Sequence, residues 1–305
     1  MQLNYQQTWW KAESNEEKEL VINNFKDLYK HSNNKHSNAE QIIGLLIKQL
    51  DIIINDQNSK NIPPPAKPKS RARDKYGFSQ QEFINIVKSD DLQQTAIKMK
   101  YILEQINSLQ SKNIIVHNIS KQLLKKKKDT IESANDLRGI AIMPAIIMAV
   151  DKITIQYSSP KGNLLLSQYQ HGARSKLSTN TAKLNLIYIT QQQGFKYCAL
   201  LDLSKAFDKV DRGKLKEIII KLDDPHLSQL LQGVIEVYDK IQIEVQDELI
   251  KPTRGLPQGS TYGPLLFTLY INNILTEMNT KTDKIKVQAF VDDLIIFSKD
   301  LITLQ

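Results

Sequence analysis

Apolar residues recur at helical spacing through the first third of the chain and at strand spacing toward its end, so helices are predicted first and hairpins later. Leu20, Val21, Phe25 and Leu28, then Ile42, Ile43, Leu46, Ile47 and Leu50, outline two amphipathic helices between Glu16 and Ile54. The stretch 61–75, NIPPPAKPKSRARDK, breaks that rhythm. Its prolines disfavour both helix and central strand, and its basic side chains repel one another, which makes it a linker or an exposed basic arm. The same run has the composition of a nuclear-localisation signal, the less favoured reading. Helical spacing resumes at Phe83, Ile86 and Val87 and again at Met99, Ile102, Leu103 and Ile106.

The second half changes character. FKYCALLDL, 195–203, follows a turn signal at Gly194 and reads as a buried strand that carries an acid near its end. Asp211 is a predicted N-cap for a helix reaching Leu222, and Leu227, Leu230, Leu231, Val234 and Tyr238 outline another. Ile241, Ile243 and Val245 alternate with polar residues, and a hairpin through Asp247-Glu248 is expected to return along Leu249-Ile250. After RGLPQGSTYGP comes an apolar helix from Leu265 to Ile274. KVQAFV and LIIFS flank Asp292-Asp293, a hairpin with carboxylates at its turn.

Composition narrows the function classes. At 305 residues and 41% hydrophobic the chain can bury a real core. Its single cysteine, Cys198, excludes an intrachain disulfide framework or a cysteine-built zinc site. No apolar run reaches the roughly 18 residues of a membrane span, and the acidic N-terminus lacks a signal-peptide core, so a soluble, intracellular protein without a membrane partner is expected. A formal charge of +8 favours an anionic partner such as nucleic acid. Lys121 and Lys125 to Lys128 lead toward Leu137–Ile142; they form either a solvated charge run or a phosphate-facing strand pair.

Asp202, Asp292 and Asp293 stand out because apolar strands carry them. Carboxylates brought side by side repel and desolvate one another, so such a cluster generally needs cations. Hard oxygen donors select Mg²⁺ or Mn²⁺. If the strand bearing Asp202 pairs beside the hairpin, the three acids can hold two ions about 3.5–4 Å apart, the geometry of in-line phosphoryl transfer. The bland alternative for an Asp-Asp pair is a polar hairpin turn, weakened here by the flanking apolar strands. Asp208 and Asp211 are read as turn or cap residues. Phe207 is a core ring or, beside a nucleotide sugar, a barrier to a 2′-hydroxyl.

These residues carry a resemblance. ALLDLSKAFD (199–208), GLPQGS (255–260) with GPLLF (263–267), and FVDD (290–293) resemble, in order and spacing, the reverse transcriptase family, and within it the non-LTR (LINE-type) retrotransposon branch. Asn135 to Ile140, and Gln170-His171-Gly172 through Ser178-Thr179, look like the family's fingers motifs, so the likeness runs from about Leu124 to Phe297. It implies an α+β right hand: fingers and an antiparallel palm sheet over 76–305, preceded by a helical segment, 1–60, and the basic linker, 61–75. It further implies RNA-directed DNA synthesis with two Mg²⁺ ions (Mn²⁺ also serving), an RNA template, a DNA primer and dNTPs, carried out in the nucleus.

By the same resemblance Asp202, Asp292 and Asp293 are the metal-binding catalytic acids, with the Leu203 carbonyl as a further ligand. Arg138, Lys205, Ala206, Phe207 and Gln258 form the nucleotide pocket, with a fingers lysine drawn from Lys126, Lys127 and Lys128. There are departures. His171-Gly172-Ala173 stands where the family usually has Gly-Phe-Arg, leaving Arg174 as the candidate template contact. Twelve residues, 294–305, follow Asp293, so the thumb is expected to be absent. A catalytically inert nucleic-acid-binding fragment is therefore the rival reading, and an RNA-dependent RNA polymerase is disfavoured by Phe207.

Overall fold

The computed structural model describes residues 10–12, 14–30, 38–68, 72–127, 136–192 and 194–304. The expectations at Lys69 to Arg71, at Lys128, at Asn135 and over residues 1–9 lie outside the described residues.

The fold is α+β. Its helices are α1 (Asn15–Tyr29), α2 (Ala39–Asn55), α3 (Gln80–Val87), α4 (Leu92–Asn107), α5 (Lys112–Ile115), α6 (Ala145–Leu165), α7 (Thr179–Gln192), α8 (Arg212–Ile220), α9 (Pro225–Lys240), α10 (Gly263–Thr280) and α11 (Leu301–Leu304). Its strands are β1 (Ile119–Lys126), β2 (Leu137–Ile142), β3 (Tyr197–Asp202), β4 (Gln242–Val245), β5 (Glu248–Ile250), β6 (Ile285–Phe290) and β7 (Asp293–Ser298).

Helix starts are written locally. Ser14, Asn38, Asp91, Asp211 and Asp224 each accept a hydrogen bond from a backbone N–H in the first turn of the helix that follows. Ser79 and Glu82 form a reciprocal capping box at α3. Such contacts satisfy donors that have no partner within the helix, each adding about 1 kcal/mol.

The main core is helical. α2, α4, α6 and α9 bury Leu46, Met99, Ile146 and Leu231 together, and α10 adds Leu266 and Phe267. At its centre α6 buries Ile146, Ile147, Val150 and Ile153, apolar on several faces, as a helix surrounded by others requires. A second core joins Val21, Phe25 and Tyr29 of α1 to Leu124, Leu137, Ile243 and Val245 of the first sheet.

That sheet has the order β2-β1-β4-β5, with β1 parallel to β4 and the other pairs antiparallel. The second is wholly antiparallel, order β3-β7-β6. Three sequence expectations are corrected. β3 is an edge strand rather than a buried one, hydrogen-bonded on one side to β7, with Leu200 left 77% exposed. The β4–β5 turn falls at Gln246-Asp247, both at positive φ, one residue earlier than expected. The helix predicted from Leu265 extends from Gly263 to Thr280. Among the described residues no helix is long and apolar enough to cross a membrane.

Within α6, Asp151 is buried and accepts a hydrogen bond from the Tyr238 hydroxyl at 3.0 Å. Burial pushes its carboxyl from 3.8 up to about 7. The native state therefore keeps a proton that the unfolded chain releases. This contribution to stability is complete below pH 3.8 and is lost as pH rises through about 7. Asp151→Asn is expected to raise the melting temperature by several degrees at pH 8 and by clearly less at pH 5, where most of the contribution is still present. The scale follows from about 2–4 °C per kcal/mol for larger domains. Thermal unfolding at the two pH values checks this, and an equal effect at both would contradict it.

Candidate active site

The antiparallel register of the second sheet sets Asp202, at the end of β3, directly opposite Asp293, the first residue of β7. Asp292 precedes it in the two-residue turn with Val291. The three carboxylates line one cleft of about 900 Å³, together with Lys127, Arg138, Phe207 and Gln258. The expected convergence of strand end and hairpin turn is present.

Val291 has φ of 59°, a left-handed conformation that costs a β-branched residue roughly 1–3 kcal/mol. The surrounding chain holds it there. Gln170 is fully buried, and its Oε1 accepts from the Val291 and Gly172 N–H groups, each at 3.0 Å. The adjoining backbone pairs with β6, since the His171 N–H donates to the Ala289 carbonyl and the Ala289 N–H to that of Tyr169, both at 2.9 Å. Gly172 lies so close to the turn that a Cβ there would sit 2.4 Å from the Val291 nitrogen. The Gln-His-Gly stretch thus braces the acidic turn.

The opposite wall is the loop 255–260. Gly255 donates its N–H to the Val210 carbonyl, and Leu256 to that of Phe207, both at 2.8 Å. Gly255 has φ of 89°, and a Cβ there would meet the Asp208 carbonyl oxygen at 2.7 Å. On the loop's other side the Ala141 N–H of β2 donates to the Gln258 carbonyl at 2.7 Å. The Phe207 ring stacks on Phe267, centroids 4.8 Å apart and planes at 16°. That backing fixes the ring where it lines the cleft.

Charge is concentrated here. Arg138 is exposed on β2, and Lys127 is the described fingers-lysine candidate that lines the cleft, Lys126 not being among the lining residues. Burial lowers the Lys205 pKa, with Lys127 and Lys209 adding to the effect and Asp208 opposing it. The Ala206 N–H is donated to the Leu203 carbonyl at 3.1 Å, so these two backbone groups face each other. Arg174, by contrast, is spent on the carbonyls of Asn163, Ser167 and Gln170, which makes it a tie between α6 and the following loop rather than a template contact.

Asp208 is not the simple turn residue expected from the sequence. It is 7% exposed, with Oδ1 accepting from the Tyr29 hydroxyl at 2.9 Å and Oδ2 from Gln258 Nε2 at 3.1 Å. Burial raises its pKa, opposed by those two bonds and by Lys205 and Lys127. No local signal marks it, because Tyr29 lies 179 positions earlier.

Among the described residues no three acidic, histidine or cysteine side chains already converge as a group set to hold an ion. The carboxylates of Asp202, Asp292 and Asp293 nonetheless share the cleft and receive no hydrogen bond or ion pair from a described side chain. As hard oxygen donors they fit Mg²⁺ or Mn²⁺.

Comparison with known proteins gives three findings. The family described as "Reverse transcriptase (RNA-dependent DNA polymerase)" matches residues 124–305. The "Retrovirus-related Pol polyprotein from type-1 retrotransposable element R2" of Nasonia vitripennis is 25% identical over 190 residues, covering 58% of this chain. The chain spans only 18% of that relative's length. Among solved structures, chains of the "Partial Cas6-RT-Cas1--Cas2 complex" and the "Cas6-RT-Cas1--Cas2 complex" each align over 86% of this chain at 22% identity and a TM-score of 0.37, covering 38% and 24% of their own lengths.

Proposed function

Because the chain belongs to the reverse transcriptase (RNA-dependent DNA polymerase) family, we propose that it carries out RNA-templated DNA synthesis, in which a primer 3′-hydroxyl attacks the α-phosphate of a dNTP and pyrophosphate leaves. The R2 polyprotein match supports the non-LTR branch. In this reading the β3-β7-β6 sheet is the palm and the β1–β2 pair belongs to the fingers. RNA template, DNA primer and dNTPs are the partners, and synthesis primed on chromosomal DNA sets the work in the nucleus.

The observation that carries the reading is the pairing of Asp202 with Asp293, beside Asp292, in the cleft that also presents Phe207 and Gln258. Reverse transcriptases use divalent metal ions, and bound Mg²⁺ or Mn²⁺ would supply the Lewis acidity that favours an ionised 3′-hydroxyl and offsets charge on the leaving pyrophosphate. Asp202, Asp292 and Asp293, with the Leu203 carbonyl, would hold those ions. Arg138 and Lys127 line the cleft to neutralise the triphosphate, a guanidinium being well shaped for paired bonds to phosphate oxygens. The backbone at Lys205 and Ala206 borders the same phosphates. Phe207, backed by Phe267, closes the space beneath the sugar C2′. The net charge of +8 holds template and primer, with affinity falling as salt rises.

Phe207→Ala tests the pocket. Discrimination between dNTP and the matching ribonucleotide, read as the ratio of kcat/KM values in single-nucleotide addition on an RNA template, is expected to fall by about 10- to 100-fold. Unchanged discrimination would remove Phe207 from the sugar-sensing role. Salt-sensitive binding of template and primer without any nucleotide addition by the wild type would instead favour an inert binding fragment.

A further inference from the structure

We propose that Tyr29 and Asp208 are positioning residues for Gln258, so that helix α1, which lies outside the 124–305 family match, forms part of the nucleotide pocket. The inference rests on the polymerase reading of the cleft.

The C-terminal end of α1 is stitched to the loop that leads into the pocket. The Thr253 N–H donates to the Tyr29 carbonyl at 3.0 Å, Thr253 Oγ1 to the Lys30 carbonyl at 2.8 Å, and Arg254 Nε to the Leu28 carbonyl at 2.6 Å. These donors satisfy helix-end carbonyls that would otherwise lack partners. They also fix where α1 stands relative to the loop 255–260. On its inner face Val21, Phe25 and Tyr29 are buried in the second core, while Asn24, Phe25 and Leu28 line the cleft itself.

From this anchored helix the Tyr29 side chain, 4% exposed, reaches Asp208 through its hydroxyl. Asp208 in turn takes Gln258 Nε2 on its other oxygen. An ionised carboxylate only accepts hydrogen bonds, so it dictates which end of the Gln258 amide turns toward it. The NH₂ group is committed to Asp208, and Oε1 is left as the acceptor end. Removing Tyr29's hydroxyl frees one carboxylate oxygen, which lets Asp208 and the amide it orients relax. The ring of Tyr29 stays in the core whether or not the hydroxyl is present, which separates positioning from packing.

A double-mutant cycle on primer extension reads this directly. Tyr29→Phe is expected to raise the KM for dNTP about five- to tenfold, the effect of one buried hydrogen bond, with kcat close to wild type and a melting temperature lower by only a few degrees. Asp208→Ala takes the acceptor away from both Tyr29 and Gln258, and is expected to raise KM further. In that background Tyr29→Phe should add little, because the two residues act in one chain of contacts. Equilibrium binding of a fluorescent dATP to the protein with primer and template annealed provides a second readout. If the wild type extends primers and Tyr29→Phe leaves both KM and dATP affinity unchanged, the positioning role is overturned while the polymerase reading stands. If the wild type neither extends primers nor binds dATP, the polymerase reading falls and the positioning role falls with it.

Discussion

Asp202→Asn should reduce primer extension by about a thousandfold or more, the loss of several kcal/mol of charge stabilisation in the transition state. Stability should not follow activity down. The Asp202 carboxylate is exposed and takes no hydrogen bond or ion pair from a described side chain, so the isosteric amide forfeits nothing in the fold. It also relieves repulsion with Asp293 directly across the strands, since like charges opposite one another destabilise a sheet. Melting temperature in metal-free buffer is therefore expected to be equal to wild type or slightly higher. Salt-dependent binding of template and primer should be nearly unchanged. Extension assays, thermal unfolding and binding titrations on one preparation check all three, and a variant that keeps wild-type activity would remove Asp202 from the reaction.

Gly172→Ala should be the most damaging change outside the carboxylates. A Cβ at 172 would lie 2.4 Å from the Val291 nitrogen and 2.6 Å from Val291 Cγ2, so the hairpin must move away from the 169–172 segment that braces it. The turn carries Asp292 and leads into Asp293. A displacement on the order of 1 Å at reacting groups costs about a hundredfold in rate. The fall should appear in kcat, with the KM for dNTP within about threefold, because the Gly172 contact is made with the acidic turn. Amide hydrogen exchange over 289–293 should accelerate in the variant, a readout independent of activity. Wild-type protection there together with wild-type kcat would show that the brace does not position the turn.

Much of this site was legible in the sequence because its signals are local. An acid near the end of one apolar run, and two acids between two others, define where the carboxylates sit once the strands pair, and the register does place Asp202 opposite Asp293. Helix starts were readable for the same reason: Asp211 caps its helix through the Lys214 N–H three residues on. What escaped depends on contacts distant in sequence. An apolar run carries no mark of how many sides of its strand will be covered, so β3 read as buried when it lies at an edge. α6 shows no single apolar stripe, because neighbours surround it, so its sequence carries no clear helical period. Arg174 looked available for a template until the carbonyls of 163, 167 and 170 closed around it. The link from Tyr29 through Asp208 to Gln258 spans most of the chain, and no spacing rule connects residues so far apart.

The most direct test is extension of a labelled DNA primer on an RNA template by the purified chain, with dNTPs and either Mg²⁺ or Mn²⁺, run beside Asp292→Asn. Template-complementary extension by the wild type that disappears in Asp292→Asn is the expected result. Equal extension by both proteins, or no extension by the wild type while it still binds the primer and template, would contradict a working polymerase site at Asp202, Asp292 and Asp293.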